Sequence, residues 1–210
     1  MNDLSRTLDA GLEILCVSLT AEAKAKLLTY IDFLNQWNQT YNLIGPIERN
    51  QLLPRHILDS LSVTPYLTGD RIIDVGSGAG LPGIPLAVAL PHKQFTLLDS
   101  QGKKASFMKQ ACHTLALTNV TVVNSRAEKF IAQPFFDTVI TRAFASLIKI
   151  ITVSKHLLGP GGKYYAMKGK WPAEELAALP EGFTMTSHQL HIPGLDAERH
   201  LIILEETSGG

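Results

Sequence analysis

At 210 residues and 45% hydrophobic content, the chain is long enough for one well-packed domain carrying at most a small accessory piece. No basic n-region precedes an apolar stretch, and no apolar run approaches the roughly 18 residues of a membrane span, so a cytosolic protein with no membrane partner is expected. Nineteen Lys/Arg balance nineteen Asp/Glu, but residues 71–170 hold thirteen basic against four acidic side chains, which fits either an ordinary solvated surface or a face that meets phosphates.

Leu4, Leu8, Leu12 and Leu15 recur at helical spacing. After the capping candidate Thr20, a second helical set follows at Leu27, Ile31, Leu34, Trp37 and Tyr41. A further helix is predicted over 48–63, with Arg55 and Asp59 four apart and able to pair on one face. His56, Asp59 and Ser60 do not make a catalytic triad, because on one helix Asp59 and Ser60 point about 100° apart. Residues 1–65 thus read as a helical N-terminal extension.

From Asp70 the texture changes. The runs 72–75, 95–99, 120–124 and 137–141 read as strands, with helices predicted around 82–90, 102–116 and 145–158. That rhythm gives an α/β, Rossmann-like, mostly parallel sheet over residues 66–210, one compact unit. GPGG at 159–162 is expected to turn the chain into KYYAMK, a short helix follows Pro172, and FTMTSHQL and HLIILEE read as a closing antiparallel hairpin. Cys16 and Cys112 are far apart, with no CxxC or histidine spacing, so two buried free thiols and no metal site are expected.

Gly78, Gly80 and Gly83 match the dinucleotide pattern GxGxxG, yet counted from the end of the first strand the motif is Asp74-x-Gly76-x-Gly78-x-Gly80, with Leu81 at the sixth position from Gly76. Asp74 is awkward beside a pyrophosphate and suits a cationic ligand. S-adenosylmethionine, with its sulfonium and amino-acid tail, fits such a turn, Asp74 lying near its amino group. Asp99 ends the second strand, where a carboxylate can accept from both ribose hydroxyls, although NAD would use it equally. Ser125-Arg126-Ala127-Glu128 follows the third strand and can meet the edge of an adenine, or Glu128 is a solvated helix-start charge. Only about 70 residues follow the fourth strand, too few for the substrate domain of most dehydrogenases.

The fourth strand ends in Thr141-Arg142-Ala143-Phe144-Ala145-Ser146. It lacks the Pro-Pro-aromatic run usual for amino-group methylation of adenine, and neither cysteine is placed as the nucleophile that pyrimidine C5 methylation requires. A ring nitrogen with a free lone pair, such as guanine N7, needs only in-line positioning. Arg142 is the candidate catalytic residue, able to orient the cofactor tail or to bind guanine O6 or a phosphate. Phe144 could stack on an extruded base. Both side chains have structural alternatives.

LNQWNQTYNL (34–43), RHILDS (55–60), IDVGSGAGLPGIPL (73–86), LLDSQGKKASFM (97–108), SRAEKF (125–130), ITRAFASL (140–147), YAMKG (165–169) and ERHL (198–201) together resemble the bacterial ribosomal small-subunit methyltransferase G family, also called glucose-inhibited division protein B. The resemblance runs nearly end to end. It implies a Rossmann-like, S-adenosylmethionine-dependent enzyme that methylates N7 of one guanine in the 530 loop of 16S rRNA in the 30S subunit. It places cofactor contacts on Gly76, Leu81, Ala127, Glu128 and Arg142. Asp74, Gly78, Gly80 and Asp99 join them from the turn chemistry above. Ser77 and Ala79 stand where the family often has Thr and Pro, a departure that leaves every glycine in place. Arg55, His56, Lys103, Lys104, Arg126, Lys168 and Arg199 lie in or beside these motifs and are candidate RNA contacts. A monomer is expected. The competing readings are a small-molecule methyltransferase, an NAD-dependent oxidoreductase and a noncatalytic ribosome-binding module.

Overall fold

The β-branched runs after Asp70 are too short and too evenly spaced for anything but a sheet with crossover helices. In the computed structural model, which describes residues 3–207, they form one seven-stranded sheet in the order β3-β2-β1-β4-β5-β7-β6. The strands are β1 (Arg71–Val75), β2 (Gln94–Asp99), β3 (Val120–Asn124), β4 (Phe136–Arg142), β5 (Leu158–Lys168), β6 (Phe183–Gln189) and β7 (His200–Glu206). The first five are parallel; β7 runs antiparallel to β5 and to the edge strand β6, so the expected closing hairpin forms. The strand order reverses between β1 and β4. A crevice outside the carboxyl ends of the strands is expected at that point.

Helices α1 (Asp3–Ile14) and α2 (Ala21–Tyr41) lead in, and Thr20 caps α2 by accepting from the Ala23 N–H at 3.1 Å. Then come α3 (Arg49–Leu52), α4 (Asp59–Leu61), α5 (Gly83–Ala89), α6 (Gly102–Thr114), α7 (Leu147–Ser154) and α8 (Ala173–Ala177). Alternation along β1 sorts the core into two layers. Ile72 packs with the N-terminal helices, α5 and α6, in a cluster that includes Leu27, Ile31, Leu58, Ile84 and Phe107, whereas Ile73 and Val75 pack with Ile150 and Val153 of α7. The extension therefore shares one core with the sheet.

Three sequence expectations are corrected. The helix over 48–63 is interrupted: Leu53–Leu58 forms a π-helical turn between α3 and α4. Pro54, which lacks an N–H, sits at its start, and the turn packs so tightly on α1 that a Cβ at Gly11 would lie 2.6 Å from Leu58 Cδ1. The GPGG run does not precede β5 but bulges within it, since Phe136 pairs with Leu158 and Thr138 with Lys163. Cys112 is buried, but Cys16 is exposed in the left-handed turn that ends α1.

Candidate active site

The chain leaves β1 through three glycines of positive φ: Gly76 (73°), Gly78 (59°) and Gly80 (79°). Each serves a different end. Gly76 lies beneath the Phe144 ring, so that a Cβ there would come within 2.2 Å of Phe144 Cδ2; Gly78 faces open space; a Cβ at Gly80 would run into Ile84. Gly76 and Gly78 line the crevice. Gly80 does not, which corrects its expected cofactor contact: it lets the turn fold back onto α5.

Two adjoining cavities fill the switch point, sharing Gly76, Lys104 and Ala143 as their common wall. The one over β2 and β3, about 440 Å³, is bounded by Asp99, the backbone from Ser125 to Glu128, and Phe144. Asp99 is buried, and each of its carboxylate oxygens accepts one backbone N–H: Oδ2 from Gly78 at 2.9 Å and Oδ1 from Gln101 at 2.8 Å. A second lone pair on each oxygen is left for a pair of hydroxyls. Ala127 is buried in the wall, while Glu128 is exposed, its acidity raised by its own backbone N–H and then by Lys149 at 3.6 Å. Its volume, a carboxylate placed to accept from a diol and apolar Val75 and Leu98 suit an adenosine.

Asp74 is not part of either cavity. It points into the layer beneath the turn, fully buried, and its Oδ2 accepts the Gly83 N–H at 2.9 Å while Oδ1 has no partner. Burial pushes its pKa up to about 7, so it is no open carboxylate for the cofactor's ammonium. Its position settles a different question. A pyrophosphate needs free N–H groups at the start of the helix, but here Gly83 is bonded to Asp74, Ile84 and Leu86 bond to the carbonyls of Gly80 and Pro82, and Pro82 and Pro85 have none. The dinucleotide reading fails on that count.

The other cavity, about 500 Å³, lies over β1, β4 and β5 and reaches the N-terminal extension. Arg142 enters it from the end of β4. Its Nη1 donates to Asp59 Oδ2 at 2.8 Å and to the Arg55 carbonyl at 3.2 Å, and its Nη2 lies 3.2 Å from His56 Nδ1. A guanidinium only donates, so Nδ1 carries the lone pair and the His56 proton sits on Nε2. Burial, then the Arg142 charge, push the His56 pKa down to about 3. Arg199 Nε donates to Asp59 Oδ1 at 3.0 Å, completing a carboxylate held between two guanidiniums. Asp59 was expected to pair with Arg55; that pair does not form, because the π turn carries the Arg55 side chain out to solvent and brings Asp59 inward.

The remaining RNA candidates divide. Arg55, Lys104 and Arg126 line the cavities with no side-chain partner among the described residues. Lys103 instead lies over the Tyr41 ring at 4.6 Å, outside both cavities. Lys168 is bound to Glu175 at 2.8 Å and to the Ala145 carbonyl at 2.9 Å, which corrects it from an open phosphate contact to a bracing cation; Arg199 gives Nε–H to Asp59 and one Nη1–H to the Glu198 carbonyl, while its other N–H groups stay on the larger cavity's wall. His56 is neutral and turned to Arg142. Phe144, 40% exposed, sits over the Gly76 turn and lines the cavity that holds Asp99 rather than the larger one. Sequence reasoning missed Asp59 as a site residue, and also His200, which lines the larger cavity with its ring packed edge to face on Trp171 at 5.5 Å.

The strand order, the glycine turn closed to anions and the diol acceptor at Asp99 define an S-adenosylmethionine-dependent methyltransferase of Rossmann-like fold. Solved structures agree on the fold. TomG, an O-methyltransferase from Streptomyces achromogenes in complex with SAM, matches with a TM-score of 0.59 at 15% identity, covering 99% of this chain and 100% of that one. TrmN from Thermus thermophilus matches at 0.55 and 20% identity over 70% of this chain and 47% of its own. The family is fixed by sequence. Residues 23–202 match the family model for rRNA small subunit methyltransferase G, and the proteins called ribosomal RNA small subunit methyltransferase G in Escherichia fergusonii and Salmonella typhi are each 50% identical over 207 residues, 98% of both chains. The chain belongs to the rRNA small subunit methyltransferase G family. No described helix is long and apolar enough to cross a membrane.

Proposed function

We propose that the chain transfers a methyl group to N7 of a guanine in the 530 loop of 16S rRNA, acting in the cytoplasm as a monomer on the 30S subunit. One observation carries the choice of N7. Among the described residues Asp59 is the only carboxylate lining the larger cavity, and both its oxygens face guanidiniums; His56 Nδ1 is likewise turned to Arg142. Methylating a hydroxyl or an exocyclic amine requires a group to take the proton, and neither of these side chains is open to do so; His200, the other imidazole on the lining, is held at the rim with its ring against Trp171 and its Nε2 3.8 Å from Glu198 Oε2. Guanine N7 has no proton to lose. S-adenosylmethionine seated with its adenosine against Asp99 supplies an electrophilic methyl on sulfur, and attack by the N7 lone pair in line with the breaking S–C bond moves the positive charge onto the base.

Arg142 has two N–H groups beyond those already bonded, Nε–H and one on Nη2, by which it orients an acceptor such as O6 in the cavity. Gly76 and Gly78 let the backbone approach the methionine part, and Lys104 stands between the two cavities. Arg55 and Arg126 lie on the outside, where they meet phosphates. The test is chemical mapping of 7-methylguanine after incubation with small subunits that lack the modification. One new site in the 530 loop is expected; a new methyl on another atom or another base overturns the assignment.

A further inference from the structure

Asp59 stands at the junction of three parts of the chain. It begins α4 directly after the π turn, Arg142 ends β4, and Arg199 lies just before β7. Its side chain is only 3% exposed, whereas those of Arg142 and Arg199 are 16% and 25% exposed and both line the larger cavity. Each carboxylate oxygen serves one guanidinium. The π turn adds to the clamp: the Asp59 N–H bonds to the carbonyls of Pro54 and His56, and the Arg55 carbonyl between them receives Arg142 Nη1. A regular α-helix would give that carbonyl to the Asp59 N–H.

We infer that Asp59 is a positioning residue for methyl transfer, fixing the planes of Arg142 and Arg199 so that their unused N–H groups face the substrate cavity. Counting donors shows what is fixed. Arg142 keeps two N–H groups and Arg199, whose Nη1 also donates to the Glu198 carbonyl, keeps three. Arg142 cannot turn about its Nε–Cζ bond without breaking the charge-assisted bond from Nη1 to Asp59 Oδ2, and Arg199 cannot swing about its side-chain torsions without breaking that from Nε to Oδ1. Asp59 needs no contact with substrate or cofactor to act in this way. The inference rests on the proposed role of Arg142.

Asp59→Asn keeps the shape and one acceptor while removing the charge. With S-adenosylmethionine saturating, its turnover on unmodified small subunits is expected to fall on the order of 10²-fold, the scale of a misplaced orienting group, with S-adenosylhomocysteine affinity kept within about threefold of the parent because the adenosine wall is untouched. The discriminating readout is the 15Nη1–1H resonance of Arg142, the group bonded to Asp59 and to the Arg55 carbonyl, assigned by its loss in Arg142→Lys. It is expected to be resolved in the parent and to broaden in Asp59→Asn at a temperature where the fold is intact. Should Asp59→Asn not fold, Arg199→Lys loosens the carboxylate from one side and is expected to broaden the same resonance. Parental turnover with an unchanged Arg142 resonance in either folded variant overturns the inference. Failure of the parent itself to methylate subunits would instead count against the functional reading.

Discussion

Gly76 shows how little room the turn leaves. Its φ of 73° is a conformation in which a side chain is strained by about 1–2 kcal/mol, and the Phe144 ring occupies the place of a Cβ. Gly76→Ala is therefore expected to lower S-adenosylhomocysteine affinity at least tenfold in calorimetry. Adding Phe144→Ala removes the clash but not the strain, so the double variant should regain only part of the loss. Full affinity in the single variant would show that the turn does not approach the ligand. The places of Gly76, Gly78, Leu81, Asp99, Ala127, Glu128 and Arg142 on the cavity walls were legible because each sits beside the end of a strand that its own neighbours define. Asp59 was not. Its partners lie 83 and 140 residues away, and the local i, i+4 rule pointed to Arg55 instead; the available signal was a lone Asp in the apolar run from Ile57 to Leu61.

Among the elements, α5 is unusual in taking its N-terminal acceptor from a strand. Pro82 precedes it and offers no side-chain cap; Asp74 of β1 supplies the bond to Gly83. The raised pKa of Asp74 makes this arrangement sensitive to pH. Protons bind it more readily in the folded protein than in the unfolded chain, so its contribution is full below about pH 4 and is lost as pH rises through about 7. His56 acts in the opposite sense: lowered to about 3, it favours the folded state above its ordinary value near 6.5 and loses that contribution as pH falls. Comparing Asp74→Asn with the parent isolates the first effect, since both retain His56. In urea melts the variant is expected to be less stable than, or equal to, the parent at pH 5 and to gain on it by pH 8. Parallel curves across that window would mean that Asp74 does not titrate there. The π turn belongs to this scale too, and a single helix over 48–63 missed it because Pro54 lies inside that span and its missing N–H lets the turn widen.

At the scale of the whole molecule, the N-terminal extension belongs to the wall of the larger cavity as well as to the core. Tyr30 of α2 is fully buried and donates to the Ala79 carbonyl at 2.5 Å, tying the extension to the glycine turn, while Arg55, His56 and Asp59 hold Arg142. Residues 1–65 read as a helical N-terminal extension because their pattern has period 3.6 and the rest alternates strands with helices. Periodicity identifies elements but does not report which of them share a core. Leu27, Tyr30, Ile31, Leu34, Leu53, Ile57, Leu58 and Leu61 are all essentially inaccessible. At about 1.5–3 kcal/mol for each buried side chain, this set contributes roughly 12–24 kcal/mol, as much as the entire net stability of a typical domain, roughly 5–15 kcal/mol. Removing residues 1–65 is thus expected to leave a chain without a cooperative thermal transition, even though every strand of the sheet remains. Tyr30→Phe offers the milder version: it strands a buried carbonyl at a cost of about 1–3 kcal/mol, lowering Tm by roughly 2–12 °C and weakening S-adenosylhomocysteine through the loosened turn. A truncated chain that melts cooperatively and binds S-adenosylhomocysteine with parental affinity would place the extension outside the folding unit.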